Sequence, residues 1–234
     1  MDPFDWLLIP GIPALVLWIV WVARRYLAKF ALERNALMER WGKAHGLQIR
    51  DRPNASPGLF GRTIDGIPPP FEMLEARVQD VLTRSSTESY AHNFLEGQID
   101  WRKVLVFDHR LVLQGRRRYE THDHTIVAVQ VRNNVPDFAV RPQRFWDNIT
   151  ALLGHRDIQI GNAEFDKKYY VSSTDEKALR KLFDPSVIDL LFYHDEITWH
   201  CTGGFVILVV LGQTDEANLD RMLEYATFLA EKVG

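Results

Sequence analysis

The chain holds one cysteine, Cys201, among 234 residues. That excludes an internal disulfide framework and any cysteine-rich metal site. It also lacks a strong charge of either sign. Twenty-eight lysines and arginines against 31 aspartates and glutamates leave a formal net charge of -3. Such a balance argues against nucleic acid as the main partner. No glycine-rich phosphate loop, nucleophile motif or paired metal-binding cysteines occur, and no internal repeat. The sequence therefore names no catalytic residue and no cofactor. What it offers is a location and a kind of role.

The location comes from residues 6–23, WLLIPGIPALVLWIVWVA, which carry no charge. As a helix this run spans roughly 27 Å, close to a bilayer's hydrocarbon core. Trp6, Trp18 and Trp21 stand near its ends as interfacial aromatics, and Arg24 and Arg25 close it. Pro10 and Pro13 predict a kink. A cleaved signal peptide fits less well, because the tail before the run is acidic and no small-residue cleavage pattern follows. Basic residues crowd one side only: Arg24, Arg25, Lys29, Arg34, Arg40 and Lys43 follow the run, and none precedes it. The expected topology is a single crossing of the cell inner membrane, N-terminus outside and C-terminal domain cytoplasmic. The lipid bilayer is then one partner, held through the N-terminal helix.

The expected organisation is a short tail (1–5), a transmembrane helix (6–23), a juxtamembrane amphipathic helix (24–45), a proline- and glycine-rich connection (46–70) and a globular domain (71–234). In the amphipathic helix, Leu27, Phe30, Leu37, Met38 and Trp41 share one face, with Arg34, Arg40 and Lys43 assigned to polar positions. That stripe either packs on its own domain or serves self-association. Gly46 reads as the C′ stop. Residues beyond 45 are expected to fold alone.

Residues 71–82 are ambiguous between helix and strand, and 83–89 read as a polar loop. Strands are expected over 90–96, 101–113 and 121–131, with a short one at 137–140. Pro142 is expected to open a helix. Residues 158–160 and 165–171 read as strands. Ser173 and Glu176 form a capping box, and Asp184-Pro185 starts another helix. A hairpin of 197–202 and 205–211 turns at Gly203-Gly204. The strand FVILVVL is apolar on both faces and should be central. A last helix starts at Thr214-Asp215. The fold class is α+β: a largely antiparallel sheet with packed helices.

The stretch Ile160-Gly161-Asn162-Ala163-Glu164-Phe165-Asp166-Lys167-Lys168-Tyr169-Tyr170-Val171, then a capped helix with Ala178-Leu179 and a Leu190-Leu191 pair, resembles an uncharacterised bacterial family. Phe107-Asp108 and the strand 121–131 carry the same resemblance, although Tyr169 stands where phenylalanine is expected. Members join an N-terminal membrane span to an α+β domain with no assigned activity. The resemblance therefore implies the architecture and no catalytic residue.

Four groups of polar residues are candidates for chemistry or contact. His122 and His124 face one side of a strand and His109 lies on its neighbour, a trio that could hold a metal. Without a readable fourth ligand, no metal site is expected. Asp166 reads as an ion-pair partner or turn acceptor, and His194, Asp195 and Glu196 as a polar connection. Arg116, Arg117 and Arg118 crown a hairpin loop and are candidates for lipid contact. The expected role is a membrane-anchored cytoplasmic binding or interaction module, whose partner is a protein, a second copy or lipid headgroups. The rival readings are a membrane-tethered hydrolase using His and carboxylates, and a lipid-handling or transport accessory protein.

Overall fold

The structure is a computed structural model, and it describes residues 11–49, 86–114, 119–132, 135–143, 157–173 and 175–234. Among these, five helices and eight strands form an α+β fold. Helix α1 (Gly11–Ala44) leads into β1 (Gln48–Ile49), β2 (Ser86–Ile99), β3 (Arg102–Gln114), β4 (Tyr119–Gln130) and β5 (Phe138–Pro142). Next come α2 (Ala163–Lys168), β6 (Tyr169–Ser173), α3 (Glu176–Leu182), α4 (Pro185–Tyr193), β7 (Ile197–Thr202), β8 (Phe205–Leu211) and α5 (Glu216–Val233).

All eight strands join one antiparallel sheet, in the order β1-β2-β3-β4-β8-β7-β5-β6. Period-two alternation divides its side chains between two faces. Val104, Val106, Val127, Val129, Val206 and Leu208 face the helices and share one core with Met38, Trp41, Leu179, Val187, Leu219 and Leu229. Leu105, Phe107, Ile126, Ala128, Phe205 and Ile207 form a second buried cluster on the opposite face. The strand FVILVVL serves both faces, and it lies between β4 and β7 as expected. Gly203 and Gly204 turn the β7–β8 hairpin with φ of 58° and 78°, a primed turn.

Helix α1 is one unbroken element over the stretch that the sequence divides into a span and the amphipathic helix continuing it. No proline or glycine lies between Pro13 and Gly42 to break it. Its C-terminus is a Schellman stop: Gly46 takes φ of 71°, and the Leu47 amide donates to the Gly42 carbonyl at 2.8 Å. Among the described residues no helix is long and apolar enough to cross a membrane. The uncharged part of α1, residues 11–23, rises only roughly 20 Å. Residues 6–10, which would complete the expected span, lie outside the described residues, as does Trp6.

Other expectations need correction. Strand β2 begins at Ser86, inside the expected loop. Pro142 ends β5, paired with Tyr169, and the helix expected after it lies mainly outside the described residues. Residues 158–160 form no strand; there the Ile158 amide donates to Val171 O at 2.8 Å and shields the β6 edge. The expected strand 165–171 is a short helix followed by a short strand. Asn162 caps α2 by accepting from Glu164 N and Phe165 N, and Phe165 and Tyr169, four apart, stack at 4.7 Å. Asp175 rather than Ser173 caps α3, accepting from Ala178 N at 3.0 Å. Asp184 caps α4 with Pro185 behind it, as read from the sequence.

Candidate functional site

The stripe on α1 divides into two parts. Met38 and Trp41 are buried and Leu37 packs against the core. Leu27 and Phe30, on the same face, are 68% and 58% exposed. Residues 15–22 are exposed as well, Trp18 and Trp21 among them, and so are Arg24 and Arg25. The helix therefore leaves the sheet near Arg34 and projects beyond it as a column of apolar side chains.

Arg34 itself corrects the reading as a surface residue, since it is 6% exposed. Its guanidinium grips Asp108 through Nε to Oδ2 at 2.9 Å and Nη2 to Oδ1 at 2.7 Å. Asp108 is fully buried on β3. Two more donors reach the carboxylate: Asn93 Nδ2 to Oδ2 at 2.8 Å and Thr125 Oγ1 to Oδ1 at 3.3 Å. Asn93 reaches it because β2 bulges between His92 and Leu95, and Asn93 adopts φ of 53°. Arg34 Nη1 also donates to the carbonyl of Thr214, just before α5. Burying this pair removes both charges from water, which is tolerable only because the fork is bidentate and the remaining lone pairs are bonded.

Two lower contacts extend the grip. Trp41 Nε1 donates to Asp220 Oδ1 at 2.6 Å, and the Arg40 guanidinium pairs with Glu216. These tie α1 to α5 as well as to the sheet. A mid-strand aspartate and an arginine at an inward helix position were the available signals. They lie 74 positions apart.

The histidine trio is partly assembled. His109 and His124 are register partners with ring centroids 5.9 Å apart, and His122 follows on the same face two residues along β4. Burial, aided by the neighbouring His124, pushes the His109 pKa down to about 4. Burial lowers His124 as well, ahead of repulsion from His122. His92 lies on the other face, 4.0 Å from Asp108, and is lowered by burial against the pull of that carboxylate. Asp123 also faces away from the trio and is held by Arg110, Nη2 to Oδ2 at 2.8 Å; that bond is the main reason its pKa falls. Among the described residues no group of three or more His, Cys, Asp and Glu is placed to hold a metal ion.

Asp166 is a turn acceptor: its carboxylate receives the amides of Ile160 at 2.7 Å and Gly161 at 3.0 Å. His194 packs on Tyr225 with ring centroids 4.4 Å apart, and Asp195 pairs with Lys168 at 3.5 Å. Burial pushes the Cys201 thiol up to about 12. Arg116, Arg117 and Arg118 lie outside the described residues.

No family model and no curated protein matches the sequence. Among solved structures, the fold is similar to the crystal structure of the mycobacterial trehalose monomycolate transport factor A, TtfA. The TM-score is 0.50 at 14% identity, over 85% of this chain and 91% of that one. At this identity the likeness concerns the fold.

Proposed function

We propose that this chain is a membrane-associated accessory protein that acts by binding, in lipid handling or transport, with α1 as its attachment to the bilayer. One observation carries the reading: the N-terminal half of α1 presents apolar side chains to solvent on every side, from Leu15 to Val22. Transferring that surface from water into lipid is worth on the order of 10 kcal/mol in gross terms. A soluble monomer rarely leaves such a patch uncovered. The similarity in fold to a protein described as a transport factor for a lipid supports the lipid-handling reading over a purely protein-binding one. The hydrolase reading has less support. Asp108 and Asp123 face away from the His109–His124 pair, and each is already engaged by an arginine.

In this reading residues 6–23 cross the inner membrane once, with the domain on the cytoplasmic side, as the lysine and arginine distribution favours. The full chain should float with vesicles in a density gradient, and a chain starting at Ala31 should stay below. A full chain that is monodisperse without detergent and ignores vesicles refutes the reading. A C-terminal reporter active only in the cytoplasm tests the side. Crosslinking in intact membranes identifies the bound partner.

A further inference from the structure

The exposed turns of α1 between Arg24 and Arg34 have no role in anchoring a hydrocarbon span, yet they are not polar. Tyr26, Leu27 and Phe30 are 74%, 68% and 58% exposed. At 100° per residue, Leu27 and Phe30 stand within about 40° of Arg34, on the face that the sheet covers one turn later. We infer that this upper stripe docks into the headgroup layer of an anionic bilayer, holding the domain flush against the membrane in one orientation. The inference rests on the membrane reading above and adds to it a second, shallower contact.

Charge complementarity selects the occupant. Exposed Arg24 flanks the stripe, while Arg25 and Lys29 stand on the other sides of the same turns, Lys29 at 3.7 Å from Glu33, so cations ring the helix at this level. The Arg25 guanidinium lies 5.2 Å from the Trp21 ring centroid. Aromatic rings beside long cationic side chains suit the headgroup region, where the stems lie among acyl chains and the charges meet phosphate. Bending the stripe back onto its own domain is disfavoured, because no glycine or proline offers a hinge between Pro13 and Gly42.

The direction of docking follows from which residues α1 meets in turn. Arg34 touches Asp108 and Thr125, while Gly42 packs toward Leu95, the partner of Val106. Moving toward the N-terminus of α1 therefore moves along β3 toward Gln114 and along β4 toward Tyr119. That end of the sheet, with Thr121 exposed on it, faces lipid, and the end at Gln98 faces away.

Single cysteines at positions 18, 30, 121 and 98 in the full chain, each carrying an environment-sensitive fluorophore, test this. Buried Cys201 is spared by the label. The vesicles contain phosphatidylcholine and phosphatidylglycerol, with a quencher either at the headgroups or in the water. Position 18 should report hydrocarbon. Positions 30 and 121 should be quenched several-fold more by the headgroup quencher than position 98. Leu27→Ser with Phe30→Ser should release position 121 and leave position 18 embedded; both sites are exposed, so folding is spared. Embedded 18 with 30 and 121 as water-accessible as 98 overturns the docking and leaves the membrane reading standing. An aqueous position 18 overturns the membrane reading and the docking with it. Unchanged quenching at 121 in the double variant shows that the stripe is not the contact. Protection of position 30 that persists in detergent and rises with protein concentration assigns the stripe to a second copy and overturns the proposal.

Discussion

Replacing Arg34 by methionine removes a charge and keeps most of the stem. Asp108 then stays buried, with only the Asn93 amide and the Thr125 hydroxyl to hold its carboxylate. Breaking one side of a buried ion pair costs about 3–5 kcal/mol, because the surviving charge has no water to return to. Domains of this size are stable by roughly 5–15 kcal/mol, so the loss is a large fraction of the total. It corresponds to a fall in Tm of about 6–20 °C. Asp108→Leu leaves the guanidinium with the Thr214 carbonyl and should cost a similar amount. The double variant Arg34→Met, Asp108→Leu should be more stable than either single one, since an apolar pair replaces two orphaned charges. Arg34→Lys keeps the charge but loses the fork that bonds both Asp108 oxygens and Thr214 at once, so it should recover part of the loss. Denaturant unfolding of the full chain in detergent measures all four. Additive single losses with no coupling, or a methionine variant within about 1 kcal/mol of the parent, would refute this account of the pair.

A pH effect follows from His109. Its folded pKa of about 4 lies below the ordinary 6.5, so the unfolded chain binds a proton that the folded one refuses. That contribution is fully present above pH 6.5 and is lost as pH falls from 6.5 toward 4, by up to about 3 kcal/mol. His92 and His124, lowered by burial, act in the same direction. His109→Leu should flatten the slope of stability against pH in that window, and an unchanged slope would show that His109 does not titrate as described. Truncation separates the two halves of α1. A chain starting at Ala31 should unfold cooperatively, and one starting at Leu47 should lose most of its stability, since it drops Arg34, Met38 and Trp41 together. Equal thermal transitions for the two would mean that the lower half of α1 is dispensable.

Features set by neighbouring residues were legible in the sequence. Asp184-Pro185 and Gly203-Gly204 act within their own turns, so their chemistry predicts their structure. The stripe of α5 was equally readable, because one face of one helix is enough to define it. Helix α2 was missed for a physical reason: Phe165, Tyr169 and Val171 fit a period of two as well as the start of a helix. Only the Asn162 side chain, accepting two amides, tips the choice. At α3, Ser173 and Asp175 compete as caps two residues apart, and the serine hydroxyl is instead used on Asp137 O. The register that pairs His109 with His124 was within reach, since a hairpin joins their strands. The Arg34–Asp108 pair was not, because polarity rules place an arginine outward, and no local pattern announces a partner on another element.

That pair gives the column its mechanical meaning. From residue 13 on, Arg34 is the first buried residue along α1, and through it the helix reaches β3 at Asp108, the β2 bulge at Asn93 and the β8–α5 connection at Thr214. Thr125 closes the circuit, accepting from Thr214 N at 3.3 Å and from Arg34 Nη2 at 3.4 Å. A helix without a hinge transmits tilt to its base rather than absorbing it. Tilt of the projecting half therefore acts on a junction where α1, β2, β3, β4 and the β8–α5 connection share one guanidinium and one carboxylate. The junction is buried and bidentate, so it resists small displacements and fails abruptly when a partner is withdrawn. A fixed angle of the column therefore fixes the orientation of the sheet beneath it.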